Sequence, residues 1–283
     1  MEAWKKLSAY PIENNLLRTV RIRRVIKESP STKTLLFVDG PCSEGEPGQF
    51  VMVWLPRFDE IPMSISSAGP ENSASITVAE VGEATSLLHR KKKGDIIGIR
   101  GPFGNSFQLT RCRALIVGGG TGIAPLFFLA SKLLELKADV TFLFGAKTKT
   151  ELLFLTQIEE RLSGPGMAAF AATEDGSYGH KGVVTELAEK TMSEGRFDMI
   201  YTCGKEAMLF KVFMLAEKHS TPLQASLERL MRCAIGLCGS CTIGKYRVCI
   251  DGPIFTSKQL REVKGDFGCC KRDFNGRRIP VGL

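Results

Sequence analysis

Four cysteines lie within nineteen positions near the C-terminal end of the 283-residue sequence, at Cys233, Cys238, Cys241 and Cys249. Their spacing is C-x4-C-x2-C-x7-C. Zinc ligands usually form two pairs at short spacing, often with histidine, whereas here the spacings overlap in one loop without a histidine. A C-x4-C-x2-C run followed by a more distant cysteine is typical of plant-type [2Fe–2S] ligation. The pattern favours these four residues as ligands of a one-electron cluster, with zinc and free or disulfide-bonded cysteines as the alternatives.

A glycine-rich loop lies between an apolar strand pattern at Ala114–Val117 and a helical pattern that begins at Pro125. Backbone N–H groups at a helix N-terminus attract phosphate, and glycines let a pyrophosphate approach the backbone. A tight strand-to-helix turn without a ligand is the alternative interpretation. The context predicts a dinucleotide site at Gly118, Gly119, Gly120, Thr121 and Gly122.

A cysteine and a glycine, Cys203 and Gly204, follow the fourth predicted strand of this region, Met199–Cys203. Ligands of open α/β sheets bind outside the carboxyl ends of the strands. Cys203 is therefore predicted to face a dinucleotide bound at the glycine loop. A small buried strand residue, which is what a free cysteine usually is, remains the alternative.

A third group of candidate residues lies in the N-terminal half, where a strand ends at Gly82 and Thr85 and Ser86 open a predicted helix. This is a second anion-receptive helix N-terminus, with hydroxyls that supplement the amides. An ordinary capped helix is the alternative. The candidate cofactor-binding residues here are Pro62, Met63, Ser64, Ile65, Gly82, Glu83, Ala84, Thr85 and Ser86.

The elements that must position these residues change character along the chain. Short β-branched and aromatic runs separated by turns predict a small antiparallel barrel over residues 19–110. From Ala114 strands alternate with helices, which predicts a parallel sheet, and the pattern stops near Leu223. The predicted fold class is a β-barrel plus α/β, with a small C-terminal iron–sulfur domain. The predicted domains are 1–111, 112–222 and 223–283.

Composition narrows the class of protein. Hydrophobic residues make up 43% and charged residues 24%, which is ordinary globular usage. The formal charge of +8 comes from scattered Lys and Arg without aromatic interleaving, so no nucleic-acid partner is predicted. No secretory signal and no apolar run of about 18 residues is present, which predicts a cytoplasmic protein without a membrane span. Stable disulfides are unexpected in that compartment.

The predicted sites together imply a further cofactor. A nicotinamide nucleotide carries two electrons as hydride, whereas an iron–sulfur cluster carries one. A flavin interconverts the two, and the barrel is the natural place for it.

Several motifs resemble the ferredoxin-NADP reductase superfamily, namely PMSIS (62–66), GEATSLL (82–88), GPFGNSF (101–107), GGGTGIAPL (118–126) and TCGKEAM (202–208). The segment ERLMRCAIGLCGSCTIGKYRVCIDGPIF (228–255) resembles the electron-transfer subunits of class B dihydroorotate dehydrogenases. The resemblance extends from about residue 19 to 275, and the cysteine segment is its most specific part.

The resemblance implies FAD in the barrel, NAD(H) on the second domain and a [2Fe–2S] cluster in the third. It places 62–65 along the flavin and ribityl chain, 82–86 around the flavin pyrophosphate, and Cys203 near the nicotinamide–flavin stack. The implied partner is an FMN-containing dihydroorotate dehydrogenase catalytic subunit, in a heterotetramer of two copies of each subunit. Electrons would pass from that FMN through the cluster and FAD to NAD⁺, in pyrimidine biosynthesis.

Two alternatives remain open. The same cofactors fit a reductase subunit of a ferredoxin-, sulfide- or hydrogenase-linked NAD(P)H oxidoreductase, and a zinc-binding interaction protein would lack them. The choice between NADH and NADPH is also open, with NADH favoured by the resemblance alone.

The sequence departs from the superfamily pattern at one position. Ile61 or Pro62 stands where an arginine usually precedes the serine of the flavin motif, and the nearest arginine is Arg57. We expect the amides near Gly82–Ser86, assisted by Arg57, to bind the pyrophosphate instead. The adjacent pair Cys269–Cys270 is expected not to ligate the cluster. The cluster itself is expected close to the surface that meets the partner.

Overall fold

A closed six-stranded barrel forms the N-terminal part of the chain. A computed structural model describes residues 12–161 and 166–281. The barrel strands are β1 (Arg18–Ser29), β2 (Thr32–Val38), β3 (Phe50–Leu55), β4 (Asp59–Gly69), β5 (Ser73–Ala79) and β6 (Ile96–Phe103). They lie in the order β1-β2-β5-β4-β3-β6, and all neighbouring strands pair antiparallel.

The inside of the barrel is filled by apolar side chains that include Ile22, Leu35, Phe37, Val53 and Ile76, each at most 1% exposed. They come from strands whose side chains alternate between the two faces, so that one face is buried. The antiparallel barrel predicted from the sequence is confirmed.

A seven-stranded sheet follows the barrel. Its strands are β7 (Arg113–Gly119), β8 (Asp139–Ala146), β9 (Met167–Thr173), β10 (His180–Lys181), β11 (Met199–Cys203), β12 (Leu223–Ser226) and, from the C-terminal segment, β15 (Ile254–Thr256). They lie in the order β10-β9-β8-β7-β11-β12-β15, and every neighbouring pair is parallel except β12 with β15. The predicted parallel sheet with helices is confirmed.

Half of the α-helices of the described chain connect strands of this sheet. The α-helices are α1 (Gly40–Ser43), α2 (Glu83–Arg90), α3 (Ile123–Glu135), α4 (Leu155–Arg161), α5 (Val184–Glu194), α6 (Glu206–Lys218), α7 (Val248–Asp251) and α8 (Ser257–Glu262). The connecting helices are α3 to α6, and a 3-10 turn over Gly120–Gly122 leads directly into α3. Further 3-10 turns cover Ile12–Asn15 and Lys149–Glu151.

The cysteine-rich segment is built onto the sheet. Its strands are β13 (Thr242–Ile243), β14 (Tyr246–Arg247), β15 (Ile254–Thr256), β16 (Cys270–Arg272) and β17 (Arg278–Pro280). β12 pairs with β11, and β15 pairs antiparallel with β12. Two strands from beyond residue 222 therefore extend the sheet that carries the glycine loop. The strand pattern therefore continues past Leu223, where the sequence predicted its end. β12 reads LQAS, which is too short and polar to signal a strand alone.

The predicted division into residues 1–111, 112–222 and 223–283 stays a prediction. Residues 1–11 and 282–283 of those ranges lie outside the described residues. The sequence pattern also predicts a helix over Glu151–Leu162. A helix is observed over Leu155–Arg161, and Leu162 lies outside the described residues.

Asn105, in the segment after the last barrel strand, joins the barrel to the cysteine-rich segment. Its Nδ2 donates to the Ile254 carbonyl, and the Ile254 N–H donates to Asn105 Oδ1, both at 2.9 Å. The Asn105 N–H also donates to the Gly252 carbonyl at 2.7 Å. These bonds connect residues almost 150 positions apart, and they anchor the C-terminal segment beside the barrel.

Candidate functional site

The glycine loop and the end of β11 lie against each other. β11 pairs in parallel with β7, which sets Cys203 opposite Gly118. A Cβ added to Gly122 would lie 2.4 Å from both the backbone carbon and the oxygen of Cys203. Gly120 has a φ of 55° and open space around it. The loop therefore fits tightly on β11 at Gly122 and is open at Gly120, where a ligand would approach.

The Cys203 thiol lies at this junction in its protonated form. Burial raises the pKa of the Cys203 thiol to about 12. A hydrogen bond with Ser226 lowers this pKa, whereas the negative charge of Glu228 raises it further. A thiol with such a pKa is neutral near pH 7 and is a poor nucleophile. Cys203 and Gly204 are thus brought to the glycine loop as the sequence predicted. Contact of either residue with a nicotinamide stays a prediction.

The candidate flavin residues lie along β4, which pairs with β3 and β5 in the closed barrel. Pro62, Met63 and Ser64 are half-buried, whereas Ile65 belongs to the barrel core. β3 pairs with this stretch, with Phe50 opposite Ser64. A register irregularity between Ile65 and Ser67 interrupts the pairing of β4 with β5. The half-buried positions 62–64 leave one side of the strand available for a planar ligand.

The Gly82 loop is closed by a side chain. Thr85 Oγ1 accepts from the N–H groups of Val81 and Gly82, both at 2.9 Å, and donates to the Gly82 carbonyl at 2.8 Å. Its hydroxyl is therefore fully used within the loop. The amides at the start of α2 have no intrahelical partner, and Gly82 and Glu83 are exposed. Thr85 therefore maintains the shape of the loop. Binding of an anion by the loop amides stays a prediction.

Replacing Thr85 with Val is expected to loosen this loop, because valine keeps the shape but accepts no hydrogen bond. We expect the free energy of unfolding to fall by about 1 kcal/mol in urea titrations, together with weaker retention of flavin on gel filtration. Ser86→Ala is the matched control for stability, because the Ser86 hydroxyl makes no side-chain hydrogen bond within the described chain. Equal stability of the two variants would contradict the proposed function of Thr85.

Arg57 lies in the turn between β3 and β4, is exposed and has a φ of 67°. Because β5 runs antiparallel to β4, the end of β5 that leads into Gly82 lies at the same end of the barrel as this turn. This placement is compatible with a contact between Arg57 and the flavin pyrophosphate. The contact itself stays a prediction.

The four cysteines of the predicted cluster site lie as two pairs of neighbouring thiols. The Cys238 N–H donates to Cys233 Sγ, and the Cys249 N–H donates to Cys241 Sγ. Cys238 interacts electrostatically with Cys241, and Cys249 with Cys233, so the two pairs are neighbours. Cys241 and Cys249 are buried, whereas Cys238 is exposed.

The electrostatics favour the thiolate form of two of these cysteines, Cys238 and Cys241. Partial burial opposes ionisation of Cys238, but hydrogen bonds from Ser240 and Cys233 lower its pKa to about 6. The Cys249 thiol, as a hydrogen-bond donor, lowers the pKa of Cys241 to about 7. The same bond, together with burial, raises the pKa of Cys249. Thiolates are the form that ligates metal.

Backbone donors also point at these sulfurs. The N–H groups of Leu237 and Cys238 lie 3.3 and 3.4 Å from Cys233 Sγ, and the Cys249 N–H lies 3.5 Å from Cys241 Sγ. Such amides stabilise negative charge on a cluster and raise its potential.

The donor set of this segment fits a two-iron cluster. It supplies four cysteines and no histidine, at the C-x4-C-x2-C spacing with a more distant fourth cysteine that is typical of plant-type [2Fe–2S] ligation. Among residues 12–161 and 166–281, no group of three or more His, Cys, Asp or Glu side chains is arranged to hold a single metal ion.

Arg247 is a residue of this site that sequence reasoning missed. Its Nη1 donates to the Gly236 carbonyl at 2.5 Å and so ties β14 to the loop between the first two cysteines. Its N–H donates to Asp251 Oδ2 at 2.8 Å. The sequence GKYRVC does not predict this contact, because the conformation of the cysteine loop determines which carbonyl lies within reach of the Arg247 side chain.

The adjacent cysteines lie outside the two thiol pairs. Cys270 Sγ accepts from Arg278 Nη2 at 2.9 Å and Nε at 3.2 Å, and Cys269 is exposed. We expect the double variant Cys269→Ser/Cys270→Ser to keep its iron and acid-labile sulfide, with the free energy of unfolding changed by no more than about 0.5 kcal/mol. Iron and sulfide assays on the purified variant measure this, and a loss of half the cluster would show that one of the two is a ligand.

Comparisons with known proteins agree with this geometry. The family model described as the iron–sulfur cluster binding domain of dihydroorotate dehydrogenase B matches residues 228–261. The family model described as an oxidoreductase NAD-binding domain matches residues 116–212. A solved structure of an NADH-dependent reduced ferredoxin-NADP oxidoreductase, described for flavin-based electron bifurcation, is 30% identical with a TM-score of 0.78, and covers 88% of this chain and 92% of that chain.

Curated relatives extend the match over nearly the whole chain. The protein named "Probable dihydroorotate dehydrogenase B (NAD(+)), electron transfer subunit" from Methanocaldococcus jannaschii is 41% identical over 92% of this chain and 96% of its own length. The protein of the same name from Methanothermobacter thermautotrophicus is 42% identical over 94% and 98%.

The barrel, the sheet and the cysteine segment define an oxidoreductase of the ferredoxin-NADP reductase type with an added iron–sulfur domain. Within that class, the chain belongs to the family of dihydroorotate dehydrogenase B electron transfer subunits. The family and fold support FAD, a [2Fe–2S] cluster and NAD(H) as the cofactors, as the sequence predicts.

The part of the chain that the structure describes contains no helix long and apolar enough to cross a membrane.

Proposed function

We propose that the chain passes electrons from the FMN of a dihydroorotate dehydrogenase catalytic subunit, through a [2Fe–2S] cluster and FAD, to NAD⁺ in pyrimidine biosynthesis. Oxidation of dihydroorotate to orotate releases two electrons and two protons, and NAD⁺ takes up two electrons and one proton. The observation that carries this proposal is that Cys233, Cys238, Cys241 and Cys249 all lie within residues 228–261, the segment that matches the iron–sulfur model of dihydroorotate dehydrogenase B.

The chain's own residues have distinct roles in this proposal. Cys233, Cys238, Cys241 and Cys249 ligate the cluster. Residues 62–65 position the flavin, and the amides at 82–86 bind its pyrophosphate. Residues 118–122 bind the dinucleotide phosphates, and Cys203 with Gly204 packs beside the nicotinamide. The neutral Cys203 thiol transfers no proton, because hydride passes directly between nicotinamide and flavin.

The partner in this proposal is an FMN-containing catalytic subunit, in a heterotetramer with two copies of each chain. A location in the cytoplasm is part of the same proposal. The similarity of the curated relatives over at least 92% of the chain supports this partner.

A second candidate keeps the cofactors and changes the partner. The solved structure at 30% identity is described as a ferredoxin-NADP oxidoreductase, which favours a ferredoxin-linked reductase subunit as the alternative. The higher identity of the dihydroorotate dehydrogenase relatives favours the first candidate.

Co-expression of the tagged chain with the FMN subunit encoded by the same organism tests the choice. We expect flavin and iron–sulfur absorption, two flavin types after extraction, and a mass corresponding to two copies of each chain. NADH formation from dihydroorotate and NAD⁺ is the deciding activity. A cofactor-loaded chain that neither binds this subunit nor supports that activity, yet reduces ferredoxin with NAD(P)H, would select the second candidate.

A further inference from the structure

A buried ion pair joins the first turn of α6 to the segment that leads into the cysteine loop. Arg229 donates from Nη2 to Glu206 Oε1 at 2.9 Å and from Nη1 to Glu206 Oε2. The side chain of Arg229 is 2% exposed and that of Glu206 is 10% exposed. Arg229 Nη1 also donates to the Glu228 carbonyl at 2.8 Å. The pair is thus a bidentate contact closed off from solvent.

A third segment of the chain meets the same carboxylate. The N–H of Gly268 donates to Glu206 Oε1 at 2.9 Å. Next to it, Phe267 packs edge-on against Phe210 and Phe213 of α6, with ring centroids 5.7 and 5.8 Å apart. Glu206 therefore binds both Arg229, in the stretch that leads into the cysteine loop, and Gly268, which lies later in the C-terminal segment.

The same helical turn also contacts the glycine loop. A Cβ added to Gly119 would lie 2.8 Å from Met208 Sδ, and one added to Gly204 would lie 2.7 Å from Met208 Cε. Glu206 and Met208 are two residues apart in the first turn of α6. Arg229 is four residues before Cys233. The first turn of α6 therefore contacts both the dinucleotide loop and the stretch that precedes the first cluster cysteine.

Stability alone is a weak reason for this ion pair. Two charges removed from water lose hydration that their attraction barely restores, and apolar replacements of a buried pair are often neutral or stabilising. What a bidentate pair provides is fixed geometry, because the planar guanidinium accepts one orientation of the carboxylate. Here it fixes the position of the stretch before Cys233 relative to the end of β11.

We propose that Arg229 and Glu206 are positioning residues that hold the cluster ligands at a set distance from the flavin–nicotinamide junction. They thereby set the rate at which electrons pass between cluster and flavin. This rests on the proposed cofactors, but not on the identity of the partner subunit. Neither residue touches a reacting atom, and both act through the backbone segments that they fix.

The test uses the cofactor-loaded protein and separates two electron-transfer steps. The variants are Arg229→Met, Glu206→Gln and the double variant Arg229→Met/Glu206→Met. NADH is mixed with each in a stopped-flow instrument, and flavin bleaching and cluster reduction are followed at separate wavelengths. Iron content and the EPR spectrum of the dithionite-reduced cluster are recorded for each preparation.

We expect the flavin to be reduced within about twofold of the wild-type rate, while cluster reduction slows by about tenfold or more. The double variant guards against loss of folding, because it leaves no unpaired buried charge. Arg229→Lys is expected to recover part of the rate, since it keeps the charge but loses the bidentate geometry. A purely structural contribution would lower the thermal stability without separating the two rates.

The chain offers a matched control on the same helix. Arg261 of α8 donates to both carboxylate oxygens of Glu217 near the end of α6, at 2.8 and 2.9 Å. This pair also joins α6 to the C-terminal segment, but Arg261 is 57% exposed. Arg261→Met is expected to leave both rates unchanged, because an exposed pair fixes little.

Full cluster content with wild-type cluster reduction in the double variant would overturn the proposal. So would an equal slowing in Arg261→Met. A wild-type protein that contains neither flavin nor cluster would contradict the proposed function instead, and this result is obtained before any variant is compared. Transfer to ferredoxin in place of the FMN subunit would change the partner and leave the proposal standing.

Discussion

The Cys238→Ser variant is expected to lose its iron–sulfur cluster and all electron transfer to the partner, while NADH-dependent dye reduction continues within about twofold of wild type. Dyes accept electrons from flavin directly, so they need no cluster. Cys238 is the most informative of the four cysteines because it is exposed. Its replacement disturbs packing less than replacement of the buried Cys241 or Cys249.

Three measurements check this expectation, namely iron and labile sulfide per chain, NADH–dye activity, and NADH formation from dihydroorotate with the catalytic subunit present. Cys112→Ser is the control, because Cys112 is half-buried directly before β7 and is far along the chain from the four cluster cysteines. Retention of a full cluster by Cys238→Ser would exclude Cys238 as a ligand. Loss of dye activity with FAD still bound would show that the cluster lies on the route to the dye.

Local patterns predict the bounds of some strands. Short apolar runs predict strands over Phe50–Leu55 and Met199–Cys203, and β3 and β11 have these bounds. Both are short apolar runs, for which burial and strand propensity agree. β1 was not predicted, because RTVRIRRVIKES interrupts its apolar residues with six charged ones. Its register comes from pairing with β2 and β6.

The motifs of the candidate site were also readable from sequence, because glycine loops and cysteine spacings are local. The contacts between them were not. The fit of Gly122 against Cys203, the two thiol pairs and the Glu206–Arg229 ion pair all join residues that are distant in sequence or depend on loop shape. No periodicity reports such contacts, since they follow from strand order and register.

In the Gly122→Ala variant, the reduction of flavin by NADH is expected to be about 100-fold slower, while FAD and the cluster stay bound. The added methyl would lie 2.4 Å from the Cys203 carbonyl and 2.7 Å from the Gly204 nitrogen. Both are backbone atoms, which cannot move aside as a flexible side chain would. The loop or the end of β11 must shift instead, and a misplacement of about 1 Å costs roughly 100-fold in a positioned reaction.

Flavin bleaching by NADH in a stopped-flow instrument measures this effect, and we expect it to slow by about 100-fold. The barrel and the cysteine loop do not contain Gly122, so flavin and iron content should stay at wild-type values. Gly40→Ala is the control, because a Cβ there meets no heavy atom within 4 Å. A wild-type bleaching rate in Gly122→Ala would mean that the contact between the glycine loop and Cys203 is not what aligns the nicotinamide. The hydride geometry would then have to be set elsewhere, with the half-buried residues 62–64 of β4 as the next candidates.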